Sequence, residues 1–506
     1  MTIIESLGHH PPQRVAVRVG ALDISYARLM ADVMAAAASL AAKGVSAGSK
    51  VGIRAGSVAN GHSYANWVAH LASIHLGAAH VSIVESASLS AAVQAGVIDL
   101  AIGARTSLDD IPPSLGRVEF DCDPARPLET ALDAPPADEA SAARINLTSG
   151  TTGTPKFLVW DRKMIEARVA QVGASDGNGG LVGAHLALGP DTILYPLLHI
   201  RTTAGFRYPL AVWRAGGCVL LPDDLEPRAR DEAALSVSTL IAASPVQLGE
   251  RVRLFPDQWD GREGRTIIVL GGRLPSAVRD AALAVACDTL LISYGSTETG
   301  SIALGDSAGI DRHAGAVGFV RDGVTVEIVD ADRRPVAAGE LGLVRVKAEL
   351  MSDGYDAVVP GKETSHFDGG YFYPGDSGRL FGDGLLAIEG RLGDTFNVGG
   401  WKVNAVDLEA KLAFLPGVDD LAACVMPLAE GDLLTFAVVT RDTVDLGAVA
   451  ERIRAKLPKG RSFHLVRIRS IPRNAMGKIP RALIANKLTA LYGATSNNLT
   501  KNTSNA

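Results

Sequence analysis

Along the first third of the chain, apolar residues recur at helical spacing and at strand spacing in turn. The alternation predicts a parallel sheet covered by helices. Ser25 can cap a helix whose apolar positions Leu29, Met30, Val33 and Leu40 share one face, with Gly44 at its end. Val51-Gly52-Ile53 reads as a short strand, followed by an amphipathic run over about 64–76 and a strand over 79–84. The theme continues between 192 and 222, where Gly216-Gly217 separate a helix from Cys218-Val219-Leu220-Leu221. It recurs at 266–270, just before Gly271-Gly272.

From about 315 to 350 the pattern changes to period two, in 324–329 and 342–346. Turn residues Asp330-Ala331-Asp332 and Ala338-Gly339-Glu340 flank these runs. This predicts a small antiparallel or barrel-like subdomain. A second change falls at Arg391-Leu392-Gly393-Asp394. Beyond it come a helix near 405–415, a strand near 433–439 and a helix near 446–457. The fold class read from these patterns is α/β. A large N-terminal domain of helix-covered sheets (1–392) carries the barrel-like subdomain, and a small α+β C-terminal domain covers 393–490. The Asn/Ser/Thr-rich end, 491–506, is expected to fray.

Composition narrows the class. With 506 residues, 47% hydrophobic and 21% charged, the chain can bury a large core. A net charge of -6 argues against nucleic acid as a partner. Cys122, Cys218, Cys287 and Cys424 are far apart and form no metal or disulfide framework, which fits a reducing compartment. The first residues carry no basic and apolar leader pattern, and no apolar run is long enough to span a bilayer. A cytoplasmic protein without a membrane span is expected, and a homodimer is compatible with this reading.

The chemistry concentrates first in Thr148-Ser149-Gly150-Thr151-Thr152-Gly153-Thr154-Pro155-Lys156. Hydroxyls, bare backbone amides and one ammonium suit a polyphosphate, because glycine lets the backbone approach phosphate oxygens and successive N–H groups form an anion nest. The apolar residues on both sides predict strand–loop–strand. This is not the GxxxxGK[ST] loop, because no Ser or Thr follows the lysine. Four other polar clusters stand out. Tyr294-Gly295-Ser296-Thr297-Glu298 follows an apolar run, where open sheets place ligands. Its tyrosine can stack on a base and its glutamate can hold a divalent cation, or the segment is a solvated turn. Tyr373-Pro374-Gly375-Asp376 offers a carboxylate for vicinal hydroxyls, or a turn residue. Gly390-Arg391 with Gly399-Gly400 can bring a guanidinium and a glycine-lined path, or act as a hinge. Pro472 to Arg481 sets Lys478 on a loop, where a solvated lysine is the ordinary outcome.

Taken in order, these elements resemble the acyl-adenylate-forming superfamily, which includes acyl- and aryl-CoA ligases, luciferases and peptide-synthetase adenylation domains. The similarity spans about residues 10–488. It implies that Thr148, Ser149, Gly150, Thr151, Thr152, Gly153 and Lys156 hold the ATP β- and γ-phosphates. Gly271 and Gly272 would line the adenine and acyl pocket, and Tyr294, beside Gly295, would stack on adenine. Thr297 would contact the α-phosphate and the acyl carboxylate, Glu298 would bind Mg²⁺, and Asp376 and Arg391 would fix the ribose. Lys478 would reach in from the small domain, and Gly399 and Gly400 would follow after rotation, when a thiol enters. His199 matches a family histidine that gates or lines the acyl pocket. Phe157, Pro374 and Gly393 depart from the family's usual residues.

The activity implied is ATP-dependent formation of an acyl-AMP with release of pyrophosphate, then transfer to the thiol of coenzyme A. The alternative acceptor is a carrier-protein phosphopantetheine or an amine. A purely binding module is disfavoured by the joint presence of Lys156, Glu298, Asp376, Arg391 and Lys478. Arg201 and Arg207 lie in the pocket-forming segment and suggest a small carboxylic acid that is aromatic or bears a polar or second acidic group.

Overall fold

The computed structural model describes residues 2–54, 62–83, 86–109, 111–129, 138–149, 155–173, 186–221, 227–255, 257, 259, 263–358, 366–391, 394–398, 401–428, 431–473 and 478–493. Two large sheets carry most of the chain, and a pair of small sheets follows.

The larger sheet has a parallel half. In spatial order it runs Val15–Val19, Cys218–Leu221, Ile193–Pro196, Leu240–Ala243, Thr266–Leu270 and Thr289–Ser296. Cys218–Leu221 and Leu240–Ala243 are buried at every residue, as strands covered on both faces must be. Direction reverses at Thr289–Ser296, whose other neighbour, Gly300–Asp306, is antiparallel. The antiparallel run continues through Ala316–Val320, Leu385–Arg391, Asp376–Leu380 and Gly342–Ala348. Val324–Val329 pairs with Gly342–Ala348 in the antiparallel sense expected, with Val326 opposite Val346. The expected barrel-like subdomain is corrected: these strands form the outer limb of the large sheet. Gly342–Ala348 finds a further partner in Asp376–Leu380, so pairing extends the sheet, and among the described residues no barrel closes.

The second sheet orders Ala357–Val358, Pro155–Asp161, Ala143–Ser149, Ala79–Ser82, Lys50–Ile53, Leu100–Gly103 and Gly116–Glu119. The helix Tyr26–Ala42 begins as the sequence indicates, with Ser25 Oγ accepting the Arg28 N–H, and Gly44 follows its end at φ +90°. Tyr64–His75 is not amphipathic. All of its residues are buried, because the helix lies inside the main core with Thr203–Arg214 against it.

The C-terminal part has its own sheets, a hairpin of Thr395–Val398 with Trp401–Asn404, and the strands Asp420–Leu428, Gly431–Val439 and His464–Arg467. Alternate residues of Gly431–Val439 feed two cores, Leu434, Phe436 and Val438 on one face and Ala437 on the other. The helices Ala405–Lys411 and Leu446–Lys456 fall where the sequence places them. Arg253–Asp419 at 2.8 Å and an Arg273–Asp407 pair tie this part to the larger one. Residues 392 and 393, where the sequence places the boundary, lie outside the described residues. No helix among the described residues is long and apolar enough to cross a membrane.

Candidate functional site

The phosphate-like loop joins two strands, as its flanks imply. Ala143–Ser149 and Pro155–Asp161 pair antiparallel, with Thr148 opposite Lys156. Gly150, Thr151, Thr152 and Gly153 lie outside the described residues. Lys156 is 1% exposed, and its Nζ stands 4.5 Å from the centre of the Tyr355 ring. The Tyr355 hydroxyl donates to Glu298 Oε1 at 2.9 Å, so ammonium, ring and carboxylate are linked in one line. Desolvation pulls the Lys156 ammonium below its ordinary range, and the Glu298 charge opposes that pull. Phe157, the next residue, turns the other way into the core of the second sheet and is fully buried. Tyr355 is delivered by Ala357–Val358, the edge strand that pairs Val358 with Lys156. The Asp356 carboxylate accepts the Val159 N–H at 2.6 Å and locks that pairing.

Glu298 sits in the turn between Thr289–Ser296 and Gly300–Asp306, where the large sheet switches from parallel to antiparallel. Two glycines make the turn possible. A Cβ on Gly295 would meet the Gly300 carbonyl oxygen at 2.0 Å. Gly300 has φ +78°, and a Cβ there would meet Arg168 Nη1 at 1.6 Å. Arg168 is fully buried, and its Nη2 donates to the Glu298 carbonyl at 3.1 Å. The Ser352 N–H donates to the same carbonyl at 3.0 Å. The backbone of the Thr297–Glu298 turn is thus held from two sides, while the Glu298 carboxylate meets Tyr355, which also stacks against Lys156.

Tyr294, Asp376 and Arg391 meet as one triad. Asp376 and Arg391 are directly opposed across their strands, and Arg391 Nε donates to Asp376 Oδ1 at 2.8 Å. The Tyr294 hydroxyl donates to Asp376 Oδ2 at 2.6 Å. Asp376 is 5% exposed, so both carboxylate oxygens are engaged in a largely dry setting. Gly271 and Gly272 follow the carboxyl end of Thr266–Leu270, with Pro245 beside Gly272. Gly399 and Gly400 lie outside the described residues.

Lys478, from the C-terminal part, lies close enough to these groups for the charges of Arg391, Asp376, Asp394 and Glu298 to bear on it. Loss of hydration inside the cleft and then the Arg391 charge press its ammonium down to about 8. Asp376, Asp394 and Glu298 pull the other way. Lys478 is therefore within electrostatic reach of both the Tyr294–Asp376–Arg391 triad and the Glu298 turn.

His199 is buried, and its Nδ1 accepts the Arg201 N–H at 3.1 Å. Burial, then the Arg201 charge, lowers its imidazolium to about 3, so the ring is neutral near pH 7. Arg207 is buried and lines a polar cavity between the helix Thr203–Arg214 and the large sheet, whereas Arg201 does not. Sequence reasoning missed Tyr355, Arg168 and His366. The His366 imidazolium is lowered by burial first and the Lys156 charge second, which puts it beside the hairpin. Nothing in the spacing of these three residues marks them.

Comparison with known proteins places this geometry. A probable CoA ligase of Humulus lupulus is 26% identical over 69% of this chain and 62% of its own length. The human mitochondrial malonate–CoA ligase is 28% identical over 67% and 64%. The chain thus spans somewhat under two thirds of these relatives. A salicyl-AMP ligase / salicyl-S-ArCP synthetase of Mycobacterium tuberculosis is 27% identical over 97% of this chain and 91% of its own. Among solved structures, an anthranilate CoA ligase in complex with anthranoyl-AMP superposes with a TM-score of 0.79 at 20% identity, covering 97% of this chain and 98% of that one. That likeness is one of fold. The family model described as AMP-binding enzyme matches residues 5–356, most of the chain, and the chain belongs to that family.

Proposed function

We propose that the protein activates a small carboxylic acid with ATP, releasing pyrophosphate, and passes the acyl group of the acyl-AMP to the thiol of coenzyme A. The observation that carries this reading is the position of Lys478. It comes from the C-terminal part, yet the charges of Glu298, Asp376 and Arg391 all bear on its ammonium. A carboxylate and a phosphate repel each other, and their union needs cationic neutralisation at the point of attack. In this reading an acid oxygen attacks the α-phosphorus and the bond to pyrophosphate breaks. Lys478 neutralises charge at that phosphate, with Thr297 donating to it. Lys156 and the loop from Thr148 to Gly153 hold the β- and γ-phosphates. Tyr294 backs the base, and Asp376 with Arg391 receives the ribose hydroxyls.

Glu298 suits a Mg²⁺ ion that bridges phosphates, since such an ion takes one or two protein carboxylates and fills its remaining positions with phosphate oxygens and water. Its Oε1 is already held by Tyr355, which fixes the carboxylate's orientation. When bound, the ion would supply charge neutralisation between the phosphates. Mobility of a C-terminal unit from about 393 to 490 belongs to the same proposal. Its rotation would withdraw Lys478 and bring the Gly399-Gly400 segment to the site, so that a thiol can displace AMP. We further take the protein to act in the cytoplasm, given its scattered reduced cysteines.

A carrier protein is the second acceptor to be weighed, because the mycobacterial salicyl-AMP ligase / salicyl-S-ArCP synthetase aligns with nearly the whole chain. Pyrophosphate release across an acid panel, with and without coenzyme A, tests both. Acid-dependent release that coenzyme A accelerates supports the CoA ligase, and release indifferent to coenzyme A supports the carrier or an amine. Lys478→Ala should lower acyl-AMP formation by roughly 100-fold or more, while transfer from supplied acyl-AMP largely survives. Equal loss of both halves would contradict the role given to Lys478.

A further inference from the structure

We infer that Tyr355 is a positioning residue that holds Lys156 and Glu298 as two separate charges, the ring face keeping the ammonium and the hydroxyl keeping the carboxylate. A phosphate and a cation can then each take one of them. The inference rests on the adenylation reading above and adds a residue to that same site.

Lys156 and Glu298 are 1% and 7% exposed, and the Glu298 charge bears on the Lys156 ammonium. Opposite charges attract strongly where water is scarce. Left to themselves they would close into an ion pair, in which the ammonium's hydrogens and the carboxylate's oxygens satisfy each other. Such a pair would withhold both groups from a nucleotide and its cation. Tyr355 is the neighbour they have in common. Its ring centre lies 4.5 Å from Lys156 Nζ, and its hydroxyl donates to Glu298 Oε1 at 2.9 Å. A ring face holds an ammonium less tightly than a carboxylate does, so an arriving phosphate can take the ammonium over. A phenol has one proton to give and engages one carboxylate oxygen with it. Burial, then the Glu298 charge, holds the Tyr355 hydroxyl above the usual tyrosine range, so it stays a donor.

The ring is placed by contacts that do not involve its hydroxyl. The Asp356 N–H donates to the Phe157 carbonyl at 3.0 Å, and Val358 pairs with Lys156, so the segment carrying the tyrosine lies directly on the strand carrying the lysine. Phe367 stands edge-on to the ring, with centres 5.5 Å apart and planes at 74°. These contacts would place a phenylalanine equally well, so packing alone does not call for the hydroxyl.

The test is ligand binding by the full chain. ATP is titrated without divalent cation, and Mn²⁺ serves as a paramagnetic probe of the cation site in the enzyme–ATP complex. Tyr355→Phe keeps the ring and loses the hydroxyl. It should leave metal-free ATP affinity within about 3-fold and weaken Mn²⁺ binding by roughly 10-fold or more, as loss of a hydrogen bond to a metal-holding carboxylate does. Tyr355→Leu loses both contacts and lets the charges meet, so metal-free ATP affinity should fall by roughly 10-fold as well. Adding Glu298→Gln then separates the inference from a packing role. That change should raise metal-free ATP affinity about 10-fold more in the leucine background than in wild type, because only there does it free a paired lysine. Should the leucine variant fail to fold, Tyr355→Met takes its place in both arms. Mn²⁺ binding unchanged in Tyr355→Phe overturns the inference, as do equal gains from Glu298→Gln in the two backgrounds. A wild-type chain that binds no ATP overturns the adenylation reading beneath it instead.

Discussion

Lys478 carries a measurable pH signature. Its folded value is lowered to about 8. If its positive charge neutralises the α-phosphate, acyl-AMP formation should decline as pH rises through about 8, where the ammonium loses its proton. Arg in its place stays charged across that range, so Lys478→Arg should lose the falling limb between pH 7 and 9.5, whatever its absolute rate. A limb that persists in Lys478→Arg would assign the titration to another group. At this scale the sequence was partly legible. Lys156, Glu298, Asp376 and Arg391 stand in polar clusters that interrupt apolar runs, and the structure brings them to one cleft. Arg168 was not legible because its meaning is tertiary. Its partners Glu298 and Leu350 lie 130 and 182 residues away. Tyr355 was hidden for the same reason, since its hydroxyl reaches Glu298 across 57 residues.

The hairpin around Glu298 is where element geometry and chemistry meet most tightly. Gly300→Ala would place a Cβ in the left-handed region and against the Arg168 guanidinium. A loss of about 2 kcal/mol or more is expected, from backbone strain and displacement of a buried cation. The urea midpoint would read the loss, and pyrophosphate release should fall with it because Arg168 holds the Glu298 carbonyl. Gly309→Ala, where a Cβ meets nothing within 4 Å, is the matched control and should change neither reading. Period-two patterning correctly gave the antiparallel strands Val324–Val329 and Gly342–Ala348. It could not say whether their free edges close a barrel or extend a neighbouring sheet, because that depends on partners such as Asp376–Leu380 chosen from elsewhere in the chain. The buried helix Tyr64–His75 misled for a related reason: a few polar residues such as Asn66, His70 and His75 imitate a wet face, yet here they are enclosed.

Across the whole molecule, buried histidines set the acid limit. His62 is lowered to about 4 and His199 to about 3, while His70 and His80 fall well below their ordinary value, burial being the first cause in each. In the unfolded chain each would titrate near 6.5. Below that pH the unfolded state binds protons that the folded state refuses, so stability present at neutral pH is lost as pH falls. Each such proton contributes a slope of about 1.4 kcal/mol per pH unit. Urea midpoints should therefore drop from pH 7.5 to 5.5, and a flat profile would mean that these rings are hydrated. The same interdependence of core and site operates on the Lys156 hairpin. Lys156 faces Tyr355 and Glu298, and Phe157 fills the second sheet's core. A one-residue slip in this pairing would exchange the two, sinking an ammonium into hydrocarbon and thrusting a ring at Tyr355 and Glu298. On the proposed function the misregistered protein would thus be unstable for the very reason it would be inactive, so the hairpin proofreads its own alignment, and chains that fold carry the lysine beside Tyr355 and Glu298.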